Sequence, residues 1–191
     1  MIDNVKFEQY EKMLRDWSAR MNLVAPSTLA DIKTRHFADS AQLANLLPRD
    51  AQIVDLGSGA GFPGVVLAIL GWRVTCIESI GKKAAFLSAL KDELDLPNLT
   101  VFHGRVEDYI KKLRPVPENL IFTARAFASL TKILDYVAPA NRQLFLLKGR
   151  DIASEIDAAK QKYKFDYELV PSKTGDGFVI IIKNCRLFHV K

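Results

Sequence analysis

Between residues 52 and 70, a short apolar segment, three glycines at alternate positions and a helical segment follow one another. Residues 52–56 have the composition of a buried strand, and residues 63–70 have that of a helix. Gly57, Gly59 and Gly61 lie between them, where glycine lets the chain turn tightly and lets backbone amides approach a ligand. This order predicts an α/β sheet with a ligand at the carboxyl ends of its strands.

Short apolar segments continue to alternate with helical ones along the rest of the chain. Further strands are predicted at residues 72–78, 99–102, 120–123, 143–147, 165–170 and 178–182, and helices at 82–94, 130–136 and 152–163. Such alternation predicts a mostly parallel, Rossmann-like sheet with helices on both faces. Residues 175–177 suit a tight hairpin, which makes one late strand antiparallel. This layout resembles the sheet of class I methyltransferases.

The first 50 residues are predicted to be helical. An apolar stripe at spacings of three and four predicts a helix that packs on a core: Phe7, Tyr10, Leu14, Trp17 and Met21. A second helix, capped by Ser27 or Thr28, is expected through residue 37, and a third at 41–47. We therefore divide the chain into a helical extension, residues 1–50, and a methyltransferase-like domain, residues 51–191. The extension is expected to cover the ligand edge of the sheet.

Composition excludes some classes of protein. No apolar run reaches the roughly 18–20 residues that a membrane span needs, and the first residues lack the apolar core of a signal peptide. A cytoplasmic protein without membrane association is expected. Cys76 and Cys185 form neither a zinc motif nor a redox pair, so no metal is expected. The net charge of +5 favours a polyanionic partner. A monomer is the simplest expectation, although the sequence does not fix the oligomeric state.

The residues around the glycine turn indicate the cofactor. The spacing is Gly-x-Gly-x-Gly rather than the Gly-x-Gly-x-x-Gly of dinucleotide sites. Asp55 would place a carboxylate beside an ammonium group, and Glu78 at the end of the second strand could accept from ribose hydroxyls. Val106 and Glu107, after the third strand, could contact adenine, although the acids there could instead begin a helix. Together these features predict S-adenosylmethionine, held also by the amides of Gly57, Gly59 and Gly61.

Two blocks of sequence are more specific than the glycine turn: Arg35-His36-x-x-Asp39-Ser40, and residues 125–130, which read Arg-Ala-Phe-Ala-Ser-Leu. Together with residues 21–24, 54–64, 78–83, 105–107 and 147–149, they make the chain resemble the ribosomal small-subunit RNA methyltransferase G family, also called glucose-inhibited division protein B. The resemblance implies methyl transfer from S-adenosylmethionine to N7 of a guanine in 16S rRNA, as naked RNA or in the 30S particle. It also implies cofactor contacts by Gly57, Phe62, Val106, Glu107 and Arg125.

This chemistry needs few catalytic side chains. Guanine N7 carries an in-plane lone pair and needs no base to attack a methyl group, so the enzyme has only to align the reactants. We therefore predict no catalytic residue, and His36, His103 and His189 are not expected to transfer protons. Arg125 and Lys148 follow strands at the ligand edge and are possible substrate contacts, although both could be solvated loop charges.

Other classes of function stay open at this point. A class I methyltransferase for a small molecule or a protein would share the fold and the cofactor. An NAD-linked oxidoreductase would also use Glu78, but no paired tyrosine and lysine for hydride transfer is evident. A non-catalytic RNA-binding module would not need the glycines and Glu78.

Overall fold

The computed structural model describes residues 4–188. A seven-stranded sheet has the order β3-β2-β1-β4-β5-β7-β6. Its strands are β1 (Gln52–Leu56), β2 (Arg73–Glu78), β3 (Leu99–His103), β4 (Leu120–Arg125), β5 (Gln143–Lys148), β6 (Tyr163–Pro171) and β7 (Phe178–Leu187). Strands β1 to β5 pair in parallel, and β7 runs antiparallel to both β5 and β6. The predicted fold class, mostly parallel with one antiparallel strand, is confirmed.

Seven α-helices accompany the sheet in the described part of the chain: α1 (Asn4–Ser18), α2 (Asp39–Ala41), α3 (Gly64–Ile69), α4 (Gly81–Glu93), α5 (Val106–Lys112), α6 (Leu130–Val137) and α7 (Ile152–Lys160). A short 3₁₀ turn, Ala138–Ala140, follows α6. The predicted helix at 152–163 was too long, because Tyr163 begins β6 and its hydroxyl donates to Asp135 at 2.7 Å. Residues 106 and 107 do begin a helix, as the alternative interpretation of that segment held.

The predicted second and third helices are replaced by a series of short irregular turns. These are a 3₁₀ helix at Pro26–Asp31, a π-helix at Lys33–Ala38, the short α2 and a 3₁₀ helix at Gln42–Asn45. No side chain caps the first of them, and the Thr28 hydroxyl donates to the Ala25 carbonyl instead. The wide π-turn lets both His36 and Phe37 face inward, where they are buried. Arg125 of β4 contacts this segment at His36 Nδ1 and at the Arg35 carbonyl, so its conformation depends on tertiary contacts as well as on the local sequence.

Two apolar cores lie on opposite faces of the sheet. The first contains Tyr10 and Leu14 of α1 together with side chains of α3 and α4. The second is formed by side chains of α5, α6 and α7. The stripe on α1 is therefore core packing, as predicted, and the extension shares its core with the sheet. Among the described residues, no helix combines the length and the apolar character that crossing a membrane would require.

Candidate functional site

The glycine turn after β1 needs glycine for backbone reasons. Gly57, Gly59 and Gly61 have φ of 65°, 55° and 97°, which side chains rarely adopt. A Cβ on Gly57 would overlap the ring of Phe127, and one on Gly61 would overlap the Tyr10 hydroxyl. A Cβ on Gly59 would meet only the Gly57 carbonyl, at 3.8 Å. Open space therefore lies above Gly59, whereas the other two glycines pack closely against the protein.

Glu78, at the end of β2, is fixed by two backbone amides. Its Oε2 accepts from Gly59 N at 2.9 Å, and its Oε1 accepts from Ile80 N at 2.8 Å. The residue is only 5% exposed. Each carboxylate oxygen has a second lone pair. The carboxylate is thus held rigidly and can still accept hydrogen bonds from a ligand.

A cavity of about 510 Å³ opens above the glycine turn. Five of the residues predicted to bind the cofactor line it: Gly57, Gly59, Phe62, Glu78 and Arg125. The extension supplies another part of the wall: Leu23, Val24, Ala25, Thr28 and His36. The expectation that the extension covers the ligand edge of the sheet is therefore confirmed. We call this space the turn cavity.

Asp55 lies beneath the turn rather than in the wall of this cavity. It is fully buried, its Oδ2 accepts from Gly64 N at 3.1 Å, and its Oδ1 accepts from the Thr123 hydroxyl at 3.2 Å. Burial raises the pKa of this carboxyl to about 6. Asp55 joins the start of α3 to β4, and its direct contact with a cofactor stays a prediction.

Three further predicted residues lie outside the lining of the turn cavity. Gly61 packs against Tyr10 and Val65, and Val106 is buried in the second core. Glu107 lies in the first turn of α5. Their contacts with a cofactor also stay predictions.

Arg125, the last residue of β4, binds the extension at three points. Its Nε lies 2.9 Å from Asp39 Oδ2, its Nη1 lies 2.8 Å from His36 Nδ1, and its Nη2 donates to the Arg35 carbonyl at 2.7 Å. The guanidinium carbon lies 5.8 Å from the centre of the Phe62 ring. Arg125 therefore closes one side of the turn cavity and anchors the extension. Asp39 was quoted in the sequence motif, but its pairing with Arg125 was not predicted.

Of the other two isolated histidines, His103 is exposed at the end of β3, and His189 lies outside the described residues. His103 does not line the turn cavity.

A second cavity, of about 770 Å³, adjoins the first. Both are lined by residues 125–127. The ends of β4 and β5 and the turn between β6 and β7 form much of the remaining wall, together with Arg35 and Asp39 of the extension and Glu155 of α7, and we call it the hairpin cavity. Lys148 lies in it, and Nζ donates to the Ala128 carbonyl and to Glu155 Oε2, both at 2.7 Å. Glu155 was not predicted, because one acid on the polar side of a helix carries no signal.

The described residues contain no group of three or more histidines, cysteines or acids that could hold a metal ion. Cys76 and Cys185 are both free and buried. Burial raises the pKa of Cys185 to about 11. Neither thiol has the exposure or the acidity of a reactive cysteine.

The strand order, the antiparallel β7 and the glycine turn after β1 define the fold of class I methyltransferases. Solved structures agree. An O-methyltransferase from Bacillus cereus in complex with SAH aligns with a TM-score of 0.63 at 13% identity, covering 92% of this chain and 91% of that chain. A putative O-methyltransferase from Klebsiella pneumoniae aligns with a TM-score of 0.62 at 11% identity, covering 94% and 90%. At such low identities, these similarities concern the fold alone.

Sequence similarity identifies the family. The model of the rRNA small subunit methyltransferase G family matches residues 3–175. The ribosomal RNA small subunit methyltransferase G of Hyphomonas neptunium is 45% identical over 172 residues, which are 87% of this chain and 80% of the relative. That of Caulobacter vibrioides is 41% identical over 193 aligned positions, covering 96% and 85%. The chain therefore belongs to the rRNA small subunit methyltransferase G family.

Proposed function

We propose that this protein transfers a methyl group from S-adenosylmethionine to N7 of a guanine in 16S rRNA. The observation that carries the proposal is the arrangement of the two cavities, which meet at residues 125–127. One contains the glycine turn and Glu78, and the other is lined by several charged side chains. A methyl donor in the first and a base in the second would meet at the end of β4.

The turn cavity fits the proposed cofactor. The space above Gly59 admits close approach of a ligand to the backbone. The two oxygens of Glu78 can accept from the two hydroxyls of a ribose while its position is held by Gly59 N and Ile80 N. Phe62 adds an aromatic ring to the wall. We infer that these residues hold the nucleoside and that Arg125 closes the site.

The chemistry rests on alignment. Held by the residues of the turn cavity, S-adenosylmethionine would supply a methyl group on a sulfonium. The N–C bond at guanine N7 would form as the C–S bond breaks, and the electron pair of that bond would go to sulfur. Guanine N7 carries no proton, so the enzyme does not have to remove one before the methyl transfer. No side chain is therefore needed as a general base. The protein's own residues bind both reactants and fix their relative orientation. His36 therefore has no role as a proton acceptor in this proposal.

The finer aspects of the proposal follow from the family. The substrate is 16S rRNA, either free or within the 30S particle, and the net charge of +5 favours such a polyanion. The reaction takes place in the cytoplasm, where ribosomal subunits are assembled. We propose that the protein acts as a monomer, since each chain carries both cavities.

The test is transfer of tritium from methyl-labelled S-adenosylmethionine to RNA. Purified protein is incubated with free 16S rRNA, 30S particles and 70S ribosomes from cells that lack this methylation. The labelled RNA is digested to nucleosides and analysed by mass spectrometry. We expect label in 7-methylguanosine, and the most efficient of the three substrates identifies the physiological one.

A matched pair of variants links the activity to the site. Glu78→Gln should abolish most of the transfer, because an amide cannot accept from both Gly59 N and Ile80 N. Glu168→Gln makes the same change at an exposed position on β6 and should leave transfer at the wild-type level. Label in a base other than 7-methylguanosine, or in no RNA at all despite cofactor binding, would contradict the proposal.

A further inference from the structure

The hairpin cavity contains an ion pair whose chemistry suggests a specific ligand. We propose that this cavity receives the target guanine after it leaves the RNA stack, and that Lys148 and Glu155 together recognise its Watson–Crick edge. The inference rests on the proposed function and extends it by naming the residues that select the base. Enzymes that modify a base commonly extrude it into a pocket and recognise it by hydrogen bonds to that edge.

Protein groups use only part of the hydrogen-bonding capacity of the Lys148–Glu155 ion pair. An ammonium group has three donors, and Lys148 Nζ uses two of them, toward the Ala128 carbonyl and Glu155 Oε2. Glu155 Oε2 also accepts from Leu130 N at 2.6 Å. Within the part of the chain that the structure describes, Glu155 Oε1 has no hydrogen-bond partner among the protein groups. One donor and one acceptor, side by side, thus remain for a ligand.

The remaining donor and acceptor are complementary to the Watson–Crick edge of guanine and not to that of adenine. The Watson–Crick edge of guanine presents the O6 acceptor beside the N1–H and N2–H donors. Adenine has the N6 amino donor beside the N1 acceptor, which is the opposite order. Lys148 would donate to O6, and Glu155 Oε1 would accept from N1–H and the amino group. Adenine also offers an N7 lone pair, so a contact at the Watson–Crick edge would distinguish guanine from adenine.

The ion pair is held in place before a base arrives. The side chain of Lys148 is 9% exposed and that of Glu155 is 29% exposed. Backbone groups at the start of α6, the Ala128 carbonyl and Leu130 N, fix one atom of each partner. A donor and acceptor that are already oriented lose little entropy on binding. The ion pair is also neutral overall, so the positive charge that N7 methylation places on the base meets no net repulsion from it.

The cavity has the size and the position that the reaction needs. Its volume of about 770 Å³ lies within the roughly 300–1,000 Å³ of typical ligand pockets and leaves room for a purine and its ribose. O6 and N7 lie on the same edge of guanine. A base held through O6 by Lys148 can therefore present N7 toward residues 125–127, where the turn cavity begins.

Glu155→Gln tests the assignment with a minimal change. Leu130 N and Lys148 require an acceptor, so the glutamine oxygen will occupy the position of Oε2 and its amino group that of Oε1. The glutamine amino group, a hydrogen-bond donor, then faces the N1–H and N2–H donors of guanine. We expect kcat/KM for 30S or 16S rRNA, whichever the wild type prefers, to fall by roughly ten- to a hundredfold. The dissociation constant for S-adenosylhomocysteine, measured by calorimetry, should change less than twofold.

Asp135→Asn is the matched control, because Asp135 forms a similar ion pair with Lys162 at 2.7 Å and lines neither of the two cavities. It should leave kcat/KM unchanged. Lys148→Met provides a second variant of the site, and it should lower kcat/KM in the same range without weakening cofactor binding. Thermal unfolding of each variant identifies any loss of activity that comes from loss of folded protein.

A direct binding measurement separates this inference from the proposed function. Saturation-transfer NMR in the presence of S-adenosylhomocysteine compares GMP with AMP. The wild type should bind GMP preferentially, and Glu155→Gln should lose that preference. If the wild type methylates guanine but Glu155→Gln retains its kcat/KM, the inference is wrong and the proposed function stands. If the wild type methylates no RNA, the proposed function fails, and equal binding of GMP and AMP would then overturn the inference as well.

Discussion

Nη1 of Arg125 lies 2.8 Å from Nδ1 of His36, and this contact fixes the protonation state of the imidazole. A guanidinium can only donate, so Nδ1 must accept and the proton must be on Nε2. Nε2 lies 2.9 Å from the Thr28 hydroxyl, which in turn donates to the Ala25 carbonyl at 2.8 Å. The end of β4 is thereby joined to the extension through a neutral histidine, which forms part of the wall of the turn cavity.

The stability of the protein should depend on this histidine at acidic pH. Burial, and then the charge of Arg125, lower the pKa of His36 from 6.5 to about 4. Between these values the unfolded chain binds more protons than the folded one, so the contribution of His36 is present above pH 6.5 and is lost as the pH falls toward 4. The free energy of unfolding of the wild type relative to His36→Gln should fall by as much as about 3 kcal/mol from pH 7 to pH 4. Urea unfolding of the wild type and of His36→Gln at several pH values measures this difference in the free energy of unfolding.

Asp55 provides a control for the same experiment, because its contribution to stability should change with pH in the opposite direction. Burial raises its pKa from 3.8 to about 6, so its contribution is fully present below pH 3.8 and is lost as the pH rises through 6. The stability of the wild type relative to Asp55→Asn should therefore fall as the pH rises in that window. Equal pH dependence for both variants would contradict the assignment of His36 as a neutral acceptor.

Arg125 should contribute to cofactor binding through the wall that it holds. Arg125→Ala removes the partner of Asp39 and of His36, so the extension loses its attachment to β4. We expect the dissociation constant for S-adenosylhomocysteine to rise roughly tenfold, corresponding to about 1.4 kcal/mol. Calorimetry measures the change. Arg125→Lys keeps the charge beside Asp39 but cannot make all three contacts, so it should give an intermediate value. If Arg125→Ala binds S-adenosylhomocysteine with the affinity of the wild type, Arg125 does not contribute to cofactor binding.

The glycine turn should tolerate no side chain at Gly57. Gly57→Ala places a Cβ on the Phe127 ring at a positive φ, so we expect a loss of about 1–3 kcal/mol in the free energy of unfolding. Gly149→Ala is the matched control, because a Cβ there meets nothing within 4 Å. It should change stability by less than about 0.5 kcal/mol. Thermal and denaturant unfolding of both variants make the comparison, and equal losses would show that neither the positive φ at Gly57 nor the contact with Phe127 destabilises the variant.

A buried hydrogen bond should connect the extension to the turn. The Tyr10 hydroxyl donates to the Ala60 carbonyl at 2.6 Å, and its ring stacks on Phe62 with the centroids 5.4 Å apart. Tyr10→Phe keeps the ring and removes the donor, so we expect a loss of about 1 kcal/mol in stability. Tyr167→Phe, at an exposed tyrosine of β6, should have no measurable effect. A Tyr10→Phe variant as stable as the wild type would contradict this role.

Local sequence predicted most of the fold because the strands are apolar runs bounded by glycine, proline or charged residues. β1 was predicted with its observed bounds, and β5 to within one residue. The secondary-structure predictions that were wrong concern segments whose conformation depends on tertiary contacts. Tyr163 continues a helical pattern but pairs with Leu187 in the sheet. Residues 26–45 contain helix-forming residues, yet they form irregular turns, which Arg125 of β4 contacts at the Arg35 carbonyl and at His36 Nδ1.

The sequence by itself determined the order of elements, the glycine turn, the acid at the end of β2 and the family, because each depends on residues close together in the chain or on a motif. Only the tertiary structure decided that Asp55 lies beneath the turn and that Arg125 is anchored by Asp39 and His36. Only the structure, again, joins Lys148 to Glu155 in a cavity beside the turn cavity. Such pairings depend on how separate elements pack against the sheet, and spacing along the chain carries no information about that packing.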